Sequence, residues 1–134
     1  MTPNHIRFRR DLAASVALVL ALAVMARSTQ ADVVDIAWDA NGRFERNVHV
    51  TSGKFAEICG KLPAGLKVGW EFEASAPLDF NVHYHVGKEV VFPSKLIAVV
   101  TAKDTLATKI DQDYCWMWSN KTAASATIKV KLQR

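Results

Sequence analysis

Between Leu78 and Val86, apolar and polar residues alternate without a break over nine positions. Leu78, Phe80, Val82, Tyr84 and Val86 fall on one side of an extended chain, and Asp79, Asn81, His83 and His85 on the other. The pattern predicts a β-strand with one face on a core and one open to water or a ligand. Upstream, Leu66, Val68, Trp70, Phe72 and Ala74 alternate with Lys67, Gly69, Glu71 and Glu73. Ser75-Ala76-Pro77 between the two runs reads as a turn, so an antiparallel hairpin is expected here. Tyr114, Trp116 and Trp118 alternate with Cys115, Met117 and Ser119, and Ala126, Ile128, Val130 and Leu132 with Thr127, Lys129 and Lys131 in a closing strand. Such strict alternation places the three aromatics in the core beside Trp70 and Phe80.

The other segments carry weaker patterns. Val33 to Trp38 is a short apolar run followed by the turn signal Asp39-Ala40-Asn41-Gly42. From Arg43 to Thr51, Phe44, Val48 and Val50 share a face that Arg46 interrupts, which suits an edge strand, with His49 on the opposite face. Ser52-Gly53 precedes a run from Phe55 to Cys59, and Gly60, Pro63 and Gly65 make the next connection irregular. Gly87-Lys88 is a tight-turn signal leading to Glu89–Phe92, with Pro93-Ser94 breaking the pattern before Lys95–Thr101. Lys103 to Gln112 reads as a loop or short irregular strand, and Asn120-Lys121-Thr122 as a turn. Seven to eight short strands without a helical pattern predict an all-β fold, an antiparallel β-sandwich.

The first thirty-one residues differ in kind. Arg7, Arg9 and Arg10 precede an almost wholly apolar stretch from Leu12 to Ala26, and small residues follow up to Ala31. This is the layout of a secretory signal, and the apolar stretch falls short of the roughly 20 residues of a membrane span. Residues 1–31 are therefore expected to direct export, with a retained anchor as the alternative, and residues 32–134 to form the folded domain. Arg9-Arg10 also allows a twin-arginine route. Most of the chain's formal charge of +4 belongs to this leader; the remainder holds 13 basic and 12 acidic residues, a net of +1. Without a basic run, nucleic acid is excluded as a partner, and a membrane partner is expected only if the leader is retained.

Two cysteines, Cys59 and Cys115, lie in the exported part. An even count in an oxidising compartment reads as one disulfide, with free thiols or metal ligation as the alternatives.

The order of short motifs carries a resemblance. Cys59, then Gly65-Leu66-Lys67-Val68-Gly69-Trp70-Glu71-Phe72-Glu73, Leu78-Asp79-Phe80-Asn81-Val82, Tyr114-Cys115-Trp116-Met117-Trp118-Ser119-Asn120 and a closing alternating strand resemble the GOLD (Golgi dynamics) domain over roughly Phe44 to Leu132. The resemblance implies a disulfide-stapled sandwich used for protein recognition, without catalysis. By it Cys59 matches the family's early cysteine, whereas Cys115 stands two positions before the expected place of the later one, which Met117 occupies. Receptors of that family continue into a coiled coil and a membrane span that this sequence, ending at Arg134, does not contain, so their cargo role is not carried over.

Candidate chemistry centres on the polar face of the Leu78–Val86 strand. His83 and His85, two positions apart, stand roughly 7 Å from one another by strand rise, a spacing at which two imidazoles converge on one metal. With Met117 and Cys115 on another strand, the residue types match a blue-copper ligand set; a disulfide would remove Cys115 and leave His83, His85 and Met117. Asn81, His83 and His85 are the candidate binding residues in either case. Ser119, His83 and Asp79 are merely the residue types of a catalytic triad, and Glu71 and Glu73 a pair of surface carboxylates, so no enzyme is expected. The sequence thus predicts an exported, non-catalytic binding module without a cofactor, for a protein partner or small ligand, with a periplasmic copper-binding protein as the alternative.

Overall fold

One strand of twenty residues joins the two layers of this protein. The computed structural model describes residues 32–134, and the predicted leader lies outside the described residues. Seven strands follow one another: β1 (Asp32–Asp35), β2 (Arg43–Val50), β3 (Phe55–Leu62), β4 (Lys67–Val86), β5 (Glu89–Ala107), β6 (Gln112–Ser119) and β7 (Ala126–Gln133). No helix occurs among the described residues. The first half of β4 pairs with β7 and the second half with β6, both antiparallel, while β5 accompanies β4 along most of its length. One layer therefore runs β1-β3-β6-β4-β5 and the other β2-β7-β4-β5, with the long hairpin shared between them. The predicted all-β sandwich is present, and the shared hairpin gives it a barrel-like closure on that side.

Three expectations need correction. Ser75-Ala76-Pro77 does not reverse the chain: β4 runs through it, and the three residues have no ladder partner on β5, where the register shifts between Glu73 and Leu78. Proline removes a ladder donor, so the segment bends rather than turns. Because Phe72, Ala74, Ala76 and Leu78 keep one parity, the same side of β4 faces the core before and after the bend. Lys103 to Ala107 is likewise a regular part of β5, opposite Lys67 to Glu71. The mixed residues of this stretch reflect an edge strand, solvated along its free side. Finally, β1 joins β3 in parallel, so the sheet is not wholly antiparallel.

Other features agree with the pattern. Phe44, Val48 and Val50 of β2 are buried and Arg46 is exposed, and β2 ends the strand order. Gly87, at φ 60°, makes the two-residue turn between β4 and β5. Trp116, Trp118 and Tyr114 are fully buried. Trp118 meets Phe80 of its own layer at 5.3 Å between ring centroids and Phe72 of the facing layer edge-on at 5.5 Å. The indole N–H groups of Trp116 and Trp118 have no hydrogen-bond partner among the described residues, so hydrophobic burial has to outweigh that desolvation. After β6, Asn120 turns the chain: its amide donates to the carbonyls of Val50 and Ala124, and its Oδ1 accepts from the Thr122 N–H.

Candidate functional site

Cys59 of β3 and Cys115 of β6 face one another across the ladder and form a disulfide. Both have the parity opposite to the core residues Ile58 and Trp116, so the bridge lies on the outer face of the five-stranded layer. The register fixes its surroundings. His83 of β4 stands opposite Cys115, and Asn81 opposite Met117, which in turn stands opposite Glu57 of β3. Glu57, His83 and Cys115 converge until their donor atoms lie within 4.8 Å of one another.

This face is less open than alternation alone implies. Asn81 and His83 retain 8% and 7% of their exposure, whereas His85 is exposed. A register shift between Val82 and Tyr84 brings Phe92 of β5 over the histidine, with ring centroids 6.0 Å apart. Lys95 places its ammonium 4.9 Å from the centre of the Phe92 ring. The His83 Nδ1 lies 2.8 Å from the Asn81 Oδ1, an oxygen that can only accept, so Nδ1 carries the proton in this pair. Burial, followed by the charge of His85, holds the His83 imidazole below its ordinary range. Burial also raises the Glu57 carboxyl, against the pull of His85.

The sequence-predicted residues are thus brought together unevenly. The rings of His83 and His85 are 5.5 Å apart and meet edge to face. Met117 lies beside Asn81, and His85 lies beyond the last β4–β6 pair, Tyr84 with Tyr114. Four residues of strand, about 13 Å, separate the Met117 position from that of His85. Glu57 and Phe92 went unmarked in the sequence. Glu57 is an ordinary polar position of its strand, and nothing local shows that β6 will carry it to His83.

The outer faces of the two layers differ in chemistry. The first presents Val33, Phe55, Val90, Phe92 and Ile97 as exposed large apolar side chains across its outer face. On the second, Arg43, Glu45, Gln133, Lys131, Lys129, Glu71, Glu73 and Lys103 are exposed and largely matched in charge. Lys131 pairs with Glu71 at 3.0 Å and Lys129 with Glu45 at 3.4 Å. A depression of about 600 Å³ opens there over Gly69, between Arg43, Glu71, Lys103 and Lys131. Arg43, Lys103 and Lys131 are matched in number by Glu45, Glu71 and Asp104 along its lining, so it offers a ligand little net charge.

No protein-family model matches the sequence, and no curated protein does. Solved structures are similar. PliG of Aeromonas hydrophila, a periplasmic lysozyme inhibitor of g-type lysozyme, superposes with a TM-score of 0.55 at 12% identity, covering 78% of this chain and 96% of that one. PliG of Salmonella Typhimurium gives 0.54 at 11%, covering 78% and 98%. The Yersinia pseudotuberculosis-derived mitogen gives 0.54 at 9%, covering 68% and 84%. The likeness is one of fold. The neighbours include inhibitor proteins built on this sandwich, and the identities are too low to carry a residue from them to this chain.

Proposed function

We propose that this protein is an exported, non-catalytic protein-binding module that takes its partner on the outer face of the five-stranded layer. One observation carries the reading: that face carries exposed apolar side chains, Phe92 among them beside His83, while the facing layer shows water mainly charged and other polar side chains. Clustered exposed apolar side chains rimmed by polar ones mark interaction surfaces. The face is broad, spanning five strands, which suits a protein surface rather than a small molecule. The leader supports export. The PliG structures support the reading to the extent that the same sandwich serves inhibitors that act on a protein, and the GOLD resemblance leads to the same class of function.

Site-specific photo-crosslinking in the native host tests the proposal. A photoreactive phenylalanine analogue at Phe55 or Phe92 is expected to give a discrete protein adduct that is absent when the probe replaces Lys129 on the opposite layer. Equal adducts at all three positions, or none at Phe55 and Phe92, would overturn it. Titration against g-type lysozyme then decides whether the partner of the structural neighbours is shared; failure to inhibit rejects that partner alone.

A further inference from the structure

The register of β3, β6 and β4 brings to the His83 and His85 pair a carboxylate, Glu57, that no sequence motif connects with them. Glu57 reaches across β6 to His83, with their donor atoms within 4.8 Å, and the His85 ring lies 5.5 Å from that of His83. The Asn81 oxygen receives the Nδ1 proton of His83, which leaves the lone pair on Nε2. Among the described residues only the Nδ1 of this ring makes a hydrogen bond. A second group that orients a ligand imidazole and sets its tautomer is a usual companion of a metal-binding histidine. The disulfide closes one side of the cluster, and because Cys115 is bonded it offers no thiolate.

We propose that Glu57, His83 and His85 form a binding site for a late first-row divalent metal ion, with Asn81 as the positioning residue. Two imidazoles and one carboxylate suit borderline ions, and the usual order of stability makes Cu(II) the tightest, ahead of Ni(II) and Zn(II). Met117 is left out of the ligand set on its chemistry, since Glu57 and not Met117 brings a hard oxygen donor within 4.8 Å of His83. A thioether would favour Cu(I); the carboxylate shifts the preference to the divalent ions. The site lies on the face assigned to partner binding but does not depend on that assignment.

The test uses the protein expressed with its own N-terminal segment and purified with its disulfide intact. Cu(II) and Zn(II) are each titrated against a chromophoric chelator, and the Cu(II) form is examined by electron paramagnetic resonance. One equivalent is expected to bind, with hyperfine coupling to two imidazole nitrogens. His83→Gln, His85→Ala and Glu57→Gln should each weaken binding at least tenfold, and Asn81→Ala about 10- to 100-fold with the ligands still present. Met117→Leu and His49→Ala should leave it unchanged. Far-ultraviolet circular dichroism establishes that each variant is folded, and the exposed His85 supplies a ligand variant that leaves the core untouched. No stoichiometric binding, or affinity unchanged from the parent protein in His85→Ala and Glu57→Gln, would overturn the proposal; dependence on Met117 with preference for Cu(I) would replace it with a different site.

Discussion

Removing the bridge between β3 and β6 tests how the fold is held. The proposed change is the double variant Cys59→Ala and Cys115→Ala, which leaves no free thiol. The bridge spans 56 residues of sequence, a segment that contains the whole β4–β5 hairpin. In the chain-entropy model, closing a loop of that length restrains the unfolded chain by roughly 4 kcal/mol. Both cysteines lie on the outer face, partly exposed, and β3 and β6 pair from Phe55–Ser119 to Leu62–Gln112 without them. Truncation therefore creates little cavity, and the unfolded-state effect dominates. A domain of this size has about 5–15 kcal/mol in all, so the variant should fold but lose a large share of its stability. At roughly 4–8 °C per kcal/mol, the melting temperature should fall on the order of 15–30 °C. Urea denaturation of the oxidised protein and the double variant, with equal slopes verified, measures the difference. A loss below about 1.5 kcal/mol would refute the reasoning. It would mean that the hairpin already holds β3 and β6 together in the unfolded chain, so that the crosslink restrains little.

Two further changes address the bend in β4 and β5. Asp79 accepts hydrogen bonds from Lys121 and from the Ala98 N–H, which together hold its carboxyl below the usual range. A lowered carboxyl stabilises the fold above its unfolded value of about 4 and loses that contribution as pH falls through the folded value. Asp79→Asn should therefore cost no more than about 1 kcal/mol at pH 6, since Lys121 is solvent-exposed, and the gap to the parent protein should close by about pH 2. Urea midpoints measured across that range check it. Ala98 has a φ of 52°, a left-handed conformation that disfavours a side chain. Ala98→Gly should be neutral or stabilising by up to about 1 kcal/mol, whereas the same change at Ala102, in regular strand, should destabilise by thermal melting.

The alternation of residues was enough to assign the faces of β4, β6 and β7, to place Tyr114, Trp116 and Trp118 in the core and to put Arg46 at an edge. These follow from a period of two, which is a property of the local backbone. A turn signal is less decisive: Ser75-Ala76-Pro77 has turn chemistry, yet the hydrophobic phase continues across it, and packing in both layers keeps the chain extended. The candidate site was legible only as far as one strand could show it. His83, His85 and Asn81 declare a common side by parity, but parity does not reveal what covers that side. Phe92 reaches His83 through a register shift, and Glu57 reaches it across β6. Strand order and register are decided by long-range pairing and burial in the tertiary structure, and these turned an outward-facing histidine into a buried one beside a carboxylate.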